Sequence, residues 1–387
     1  MNNLLIFIDL LTLATALPNS VKSLQLDKRL YQPPPPPGYY GDQECIDLPL
    51  CPYVDPTALD YSDKTPKPFD YCQAIVNGHF SSVTIAGITE KNKILYWGAS
   101  DSDVEPKRVY SVEGSTFSKT TTDMTCLSSL DVWYSFGFIF EQTYKEPANF
   151  RTAKQLATLY SNLYKTLDPS PFGFDFYWEP IGATVPSNSF VKKRVDALKS
   201  LIESDGPNIR ISLLGDRQDG LTAIGRKYVT KLIEAGIQFE LNILLRDRPL
   251  SKPENAMDIL DLVKEFIQDL PDSDPNQQFI LTPTIGHGSS SDGKGGNIFS
   301  IDDANELSNN LFSRIQTDQD ITCLSMWAIH RDYKFTTVNS NWDSCRSSGL
   351  EQERNEFFDT MLKICPTPST TTTTSSPTTT TTTTTTT

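Results

Sequence analysis

The segment FGFDFYWE, residues 172–179, is a run of aromatic residues interrupted by acids. Its composition predicts a buried β-strand that ends in a carboxylate. Successive side chains of a strand point to opposite faces, so Gly173, Asp175, Tyr177 and Glu179 share one face. Trp178 is out of phase with them and is expected to pack under a helix. Burying two acids on one face of such a strand is costly, which predicts that a functional site uses them.

Around this segment, apolar strand-like runs alternate with amphipathic helical runs. Such alternation predicts a parallel sheet with helices packed against it, an α/β fold. About eight strand–helix units in roughly 300 residues predict a closed (β/α)8 TIM barrel. A doubly wound open sheet is the alternative, but no glycine-rich phosphate loop supports it. The predicted strands are Val83–Ile88, Val132–Ile139, Phe174–Glu179, Ile209–Leu214, Phe239–Leu245, Phe279–Thr284 and Cys323–Ile329, with one more near Ile94–Tyr96 or Val109–Tyr110. The predicted helices are Thr152–Leu163, Val191–Glu203, Tyr228–Ala235, Met257–Leu270, Ala304–Ile315 and Glu353–Leu362.

Polar residues follow several of these predicted strands. Glu179 ends the fourth strand, residues 246–248 (Arg-Asp-Arg) follow the sixth, His287 follows the seventh, and residues 330–332 (His-Arg-Asp) follow the eighth. In a barrel of this type, the working groups lie at the carboxyl ends of the strands. The sequence therefore predicts a catalytic or binding face there, although the two histidines are expected to be structural or loop residues.

The two ends of the chain differ in composition from its middle. Residues 4–16 form an apolar run that ends in small residues, which predicts a signal peptide over residues 1–16. A lead-in rich in proline and cysteine is expected over residues 17–71, and the barrel over residues 72–366. Residues 367–387 are threonine with a little serine and proline, which predicts a disordered tail with the composition of an O-glycosylated, mucin-like stalk.

The net charge of −14 over 387 residues argues against a nucleic acid or an anionic membrane as partner. It fits a protein that acts on a neutral ligand. No cofactor is predicted, and the sequence leaves the oligomeric state open.

Seven cysteines predict disulfide bonds in a secreted, extracellular protein. Their spacing matches no metal-binding pattern, so no metal site is predicted. The odd number leaves one cysteine free or paired with another chain. Because Cys323, Cys345 and Cys365 lie in one terminal stretch, we expect Cys323 to pair with one of the other two.

Residues 172–179 resemble the signature of glycoside hydrolase family 18, the chitinases. That signature is Asp-Gly-x-Asp-x-Asp-x-Glu at the end of barrel strand four. Gly173, Asp175 and Glu179 match it at the correct spacing, whereas Phe172 replaces the first aspartate and Tyr177 replaces the third.

Other segments extend the resemblance to about residues 72–365. Residues 281–286, 298–304 and 325–332 are similar to the strand-seven and strand-eight regions of bacterial-type members, and residues 135–138 are a poorer match to the strand-three segment. Residues 241–248 align with the strand-six segment, where Asp247 matches and Arg248 replaces a tyrosine.

The resemblance implies a reaction and a set of site residues. Family members cleave β-1,4 links between N-acetylglucosamine units with retention, and the acetamide of the substrate itself is the nucleophile. Glu179 would be the acid, and Asp175 would modulate the charge of the site. Trp327 would be the platform beneath the sugar, and Asp247 would hydrogen-bond sugar hydroxyls.

Two substitutions at implied substrate-binding positions argue against efficient catalysis. Tyr177 stands where a negative aspartate would stabilise the positive oxazolinium ion, and a phenol lacks that charge. Losing one such electrostatic partner costs on the order of 10²–10³ in rate. Arg248 adds a cation where positive charge develops.

Three functions fit this pattern. The favoured one is a secreted chitinase-like protein that binds chitin or N-acetylglucosamine oligomers with weak or no hydrolysis. The alternative is an active retaining chitinase or endo-N-acetylglucosaminidase that uses Glu179 as its acid. A structural extracellular protein is the third, and in an inactive barrel Asp175 and Glu179 could form ion pairs with Arg246 or Arg248.

Overall fold

Eight parallel strands form a barrel in the computed structural model of the chain, which describes residues 46–47, 49–56, 59–60, 67–76, 80–91, 94–97, 109–111, 125–137, 147–179, 184–245, 252–287, 298–318, 320–329, 332 and 356–364. The barrel strands, β1 to β8 in chain order, are Tyr53–Val54, Ser82–Lys91, Asp131–Phe136, Gly173–Tyr177, Asn208–Asp216, Glu240–Leu245, Gln278–Pro283 and Ile321–Leu324. Each pairs in parallel with the next. The predicted fold class is therefore confirmed.

Backbone hydrogen bonds between the first and last strands close the barrel. The amide of Cys51 donates to the carbonyl of Leu324 at 3.1 Å, and the amide of Tyr53 donates to the carbonyl of Met326 at 3.0 Å. Closure leaves no unpaired edge at this seam.

Helices surround the strands. The helices α1 to α7 are Tyr71–Val76, Ala153–Thr166, Asn188–Asp205, Ala223–Glu234, Pro253–Gln268, Ile301–Asp318 and Glu356–Leu362, and 3₁₀ turns span Thr125–Ser129 and Pro147–Asn149. Side-chain caps begin four of them, including α6, where Ser300 accepts from the amide of Asp303 at 3.1 Å. Thr152 and Gln155 form a capping box on α2, Ser187 caps α3, and Thr222 caps α4. None of the helices that the structure describes is long and apolar enough to cross a membrane.

Short antiparallel strands complete the fold. Ile46–Asp47 pairs with Lys363–Ile364, Leu59–Asp60 pairs with Lys67–Pro68, Gly286–His287 pairs with Ile298–Phe299, and Gly220–Leu221 pairs with the end of β5. Ile94–Trp97 pairs with the end of β2, and Val109–Ser111 pairs with Ile94–Trp97.

The alternation predicted for the FGFDFYWE segment is present in β4. Phe174 and Phe176 pack on the outer side, where the ring of Phe176 lies 5.3 Å from that of Phe136 and 5.1 Å from that of Tyr160 in α2. Gly173 is required on the inner side, because a Cβ there would lie 2.7 Å from the ring of Trp133. The outer face thus builds the core between strands and helices, and the inner face is left for polar groups.

The predicted position of the remaining strand is wrong. Ile94–Trp97 and Val109–Ser111 are antiparallel additions to β2 and lie outside the barrel circuit. The missing strand is β1, which lies before the predicted barrel start at residue 72. It is only two residues long and is bounded by Pro52 and Pro56, so no apolar period marks it.

The expected pairing of Cys323 with Cys345 or Cys365 is also wrong. Cys323 in β8 is bonded to Cys51 beside β1, across a sequence separation of 272 residues. A second disulfide joins Cys72 in α1 to Cys126. Proximity in sequence failed as a guide because barrel closure places the first strand next to the last.

Asp332 is a buried carboxyl group that anchors the last helix to the barrel. Its two oxygens accept hydrogen bonds from the backbone amides of Phe357 at 3.0 Å and Phe358 at 2.8 Å, at the start of α7. Burial raises the pKa of Asp332 to about 7 from its ordinary 3.8, and the charges of Asp359 and Glu356 add to the rise against these two hydrogen bonds.

We expect this carboxyl group to make the protein less stable as the pH rises. The folded protein keeps the Asp332 proton up to about pH 7, whereas the unfolded chain releases it near 3.8, so the stabilisation is full below about pH 4 and declines up to about pH 7. Between about pH 5 and about pH 8, the loss for Asp332 is about 3 kcal/mol. Urea unfolding at both pH values measures it. The Asp332→Asn variant should lack this pH-dependent part of the free energy of unfolding. An equal pH dependence of stability in both proteins would contradict its assignment to Asp332.

Candidate active site

The inward residues at the carboxyl end of β4 form the candidate site. Asp175, Tyr177 and Glu179 follow one another on this face, and all three side chains are buried. The structure thus brings together four of the six site residues that the sequence predicted, these three and Trp327.

Asp175 lies in a closed hydrogen-bond network inside the barrel. Its carboxylate accepts from the hydroxyl of Tyr53 at 2.9 Å and from the hydroxyl of Ser212. Asn242 donates to the oxygens of Tyr53 at 2.8 Å and Ser212 at 3.0 Å, and its own oxygen accepts from Thr282 at 2.6 Å. Five strands therefore fix the position of this carboxylate.

Burial and nearby charges shift the pKa values of Asp175 and Tyr53 in this network. Burial raises the pKa of Asp175, while the charge of Arg210 and the hydrogen bonds from Ser212 and Tyr53 oppose the rise. Burial and then the charge of Asp175 raise the pKa of Tyr53 well above its ordinary value, so its phenol remains a donor. Arg210 is itself paired with Glu240 at 2.9 Å.

Glu179 is held at the edge of β5. One carboxylate oxygen accepts from the backbone amide of Leu214 at 3.0 Å, and the other accepts from the hydroxyl of Thr222. Burial raises the pKa of Glu179 and the charge of Asp216 adds to it, whereas the hydrogen bonds from Thr222 and Leu214 lower it. A raised pKa is what a general acid requires.

An apolar cluster lies next to the two carboxylates. It contains Tyr53, Ala86, Tyr177, Leu244, Trp327 and Ala328, with Leu214 packed against it. Tyr177 is 3% exposed and Trp327 is 8% exposed. The ring of Trp327 lies 5.4 Å from that of Tyr53. The backbone directly after β3 packs closely here, since a Cβ on Gly137 would lie 2.4 Å from the carbonyl oxygen of Tyr177.

Trp178 points to the outside of the barrel, as its phase in the strand predicted. Its ring lies 4.7 Å from that of Tyr228 in α4, and the guanidinium of Arg194 in α3 lies 5.3 Å from it. This tryptophan therefore packs between the strand and two helices, and takes no part in the inner site.

The other predicted site residues lie outside the described residues. These are Asp247 and Arg248, together with Arg246, His330 and Arg331 near the strand ends. Within the described ranges, neither Asp175 nor Glu179 forms an ion pair, and the arginine that acts on Asp175 is Arg210. The same ranges contain no group of three or more acidic, histidine or cysteine residues that could hold a metal.

Sequence reasoning missed several residues of the site. Tyr53 escaped notice because β1 was not recognised. Arg210 and Ser212 alternate with apolar residues in a predicted strand, so their phase would have placed them inside the barrel. Thr222 had only the signal of a helix N-cap, which carries no sign of a contact with Glu179.

A parallel eight-stranded barrel with two buried carboxylates on the inner face of β4 and at its carboxyl end is the class of fold and site that this chain presents. The sequence matches no protein-family model and no curated protein sequence. Among solved structures, the chain is similar to the catalytic domain of a hyperthermophilic chitinase from Pyrococcus furiosus, with 18% identity and a TM-score of 0.58 over 81% of this chain and 95% of that one.

Catalytic-site mutants of active domain 2 of the thermostable chitinase from Pyrococcus furiosus, complexed with chito-oligosaccharides, match over the same shares of the two chains, with 18% identity and a TM-score of 0.58. At this identity the likeness establishes the fold. The chain therefore has the barrel fold of chitinase catalytic domains, as the resemblance of residues 172–179 implied.

Proposed function

We propose that this protein is a secreted, chitinase-like protein that binds N-acetylglucosamine polymers such as chitin and hydrolyses them weakly or not at all. The observation that carries the proposal is the identity and the burial of the residue at position 177, a tyrosine. It replaces the third aspartate of the motif and is packed in the apolar cluster with Trp327 and Leu244. A phenol in that position supplies no negative charge to a developing oxazolinium ion.

The ligand class is supported by the fold and by the cluster. The chitinase domain from Pyrococcus furiosus with the same fold is complexed with chito-oligosaccharides. Trp327 follows β8 and joins the cluster beside Glu179, where an aromatic face can stack on the apolar face of a sugar ring. Asp247 and Arg248, after β6, are proposed as further sugar contacts on the resemblance alone.

Secretion is proposed from the composition of residues 1–16 and from the disulfides. Two disulfide bonds, Cys51–Cys323 and Cys72–Cys126, fit an oxidising compartment. The threonine-rich residues 367–387 fit an O-glycosylated stalk.

An active retaining chitinase is the second candidate, because Glu179 is kept. Its carboxyl group is buried with a raised pKa, as an acid catalyst needs. Asp175, four residues earlier on the same face of the strand, is also kept and is held by hydrogen bonds from Tyr53 and Ser212. The two candidates differ in whether bound oligomers are cleaved.

Binding of N-acetylglucosamine oligomers tests the proposal through Trp327. We expect Trp327→Leu to weaken the binding of a hexamer about 30-fold in titration calorimetry, since truncating a central tryptophan of a binding site costs about 2 kcal/mol. Trp178→Leu is the matched control, because Trp178 is equally buried but packs on the outside of the barrel.

The control should bind like the unmodified protein once both variants are shown to be folded by circular dichroism. If the folded, unmodified protein binds no oligomer, the glycan proposal fails. If both variants lose equal affinity, Trp327 is not the sugar platform.

A further inference from the structure

The chain after β5 turns back on itself in a hairpin that faces Glu179. Gly215 pairs with Leu221, and Asp216 pairs with Gly220. The amide of Thr222 donates to the carbonyl of Leu214 at 3.5 Å, which places these two residues opposite each other. One short element therefore presents both residues that contact the carboxylate of Glu179.

The hairpin is fixed in position from two sides. Asp216 closes its turn by accepting from the amides of Gln218 at 2.9 Å and Asp219 at 3.1 Å. Gly220 has a φ of 74°, and a Cβ there would lie 2.7 Å from the amide nitrogen of Val263 in α5. The backbone of the hairpin thus packs directly on a helix, which leaves it little freedom to move.

The hydroxyl of Thr222 forms two hydrogen bonds, one as an acceptor and one as a donor. Its oxygen accepts from the amide of Gly225 at 3.1 Å and so caps α4, and its proton is donated to Glu179. The amide of Leu214 donates to the second carboxylate oxygen of Glu179 at 3.0 Å. Each oxygen of Glu179 is therefore engaged by a donor of the same rigid hairpin.

We propose that Thr222 is a positioning residue for Glu179, which it holds together with the Leu214 amide against the end of β5. The inference deepens the proposed function and rests on it for the glycan. A carboxylate has about four acceptor positions, so two remain beyond these two donors.

The charges around Glu179 fit this role. Two donors that bind the charged form oppose the rise in pKa that burial and Asp216 cause. Asp216, on the same hairpin, is the charged group among the described residues that acts on Glu179. Arg246, Asp247 and Arg248 follow β6 and lie outside those residues.

The test measures the Glu179 carboxyl group directly, so it does not depend on hydrolysis or on binding. Carboxyl carbon NMR titrations identify the Glu179 signal as the one that is missing in Glu179→Gln. In Thr222→Val, which keeps the shape and removes the donor, we expect the pKa of Glu179 to rise by about one unit. Thr222→Ser keeps the hydroxyl and should restore the original value.

A variant at another helix controls for the effect of losing a helix cap. Thr152→Val removes the N-cap of α2 in the same way and should leave the pKa of Glu179 unchanged. A second measurement needs no variant of Thr222. The Leu214 amide resonance of the unmodified protein should titrate together with Glu179, and this titration should be absent in Glu179→Gln.

An unchanged Glu179 pKa in folded Thr222→Val, or a Leu214 amide that does not titrate with Glu179, overturns the assignment of Thr222. If the pKa rises as expected but no N-acetylglucosamine oligomer binds, the positioning role stands and the proposed function is what fails.

Discussion

Replacing Cys51 and Cys323 together by serine is expected to lower the free energy of unfolding by about 5 kcal/mol. The disulfide closes a loop with a sequence separation of 272 residues, and the loss of loop entropy in the unfolded chain grows with loop length. It also lies at the seam between β1 and β8. There, β1 has only two residues in strand geometry, and the described backbone hydrogen bonds across the seam are three, from the amides of Cys51, Tyr53 and Leu324.

Urea unfolding under non-reducing conditions measures this effect. The matched control is the double serine variant of Cys72 and Cys126, which closes a shorter loop with a separation of 54 residues and ties α1 to a turn outside the barrel. We expect the control to lose less stability, about 4 kcal/mol from loop entropy. A seam variant that is as stable as the unmodified protein would contradict the role given to this disulfide.

Tyr177→Asp is expected to raise the hydrolysis of N-acetylglucosamine oligomers about 10²-fold, because it restores the charge that the motif places next to the reacting sugar. The smaller side chain also opens the apolar cluster around Trp327 and Leu244. The gain should be at the lower end of the range for one electrostatic partner, since Arg248 is still present.

Two further variants separate the effect of the restored charge from the effect of the smaller side chain. Tyr177→Asn creates almost the same room without the charge and should gain little. Tyr177→Asp combined with Glu179→Gln should lose the gain, because Glu179 is the acid in this scheme. A gain of equal size in Tyr177→Asn would mean that steric crowding, and not missing charge, limits the site.

The sequence predicted the barrel and the inner face of β4 because both depend on local periodicity. Phe174 and Phe176 lie outside, and Asp175 and Glu179 lie inside, as alternation along a strand requires. Trp178 follows the same rule. The fold class needed only the alternation of strands and helices, which survives errors of a few residues at each boundary.

The features that the sequence did not predict depend on contacts between distant segments. Tyr53 and Cys51 reach the site and the seam only because the barrel closes, and the short strand that carries them has no period of its own. The contact of Thr222 with Glu179 depends on the hairpin after β5. Such contacts follow from the register and closure of the sheet, which local patterns do not specify.

Turnover of N-acetylglucosamine oligomers by the unmodified protein, measured beside Glu179→Gln, distinguishes a binding protein from a hydrolase. We expect the unmodified protein to bind the oligomers and to cleave them at a rate close to that of Glu179→Gln. Rapid cleavage that Glu179→Gln abolishes would contradict this expectation, and would show that a working chitinase can have Tyr177 in place of the third aspartate.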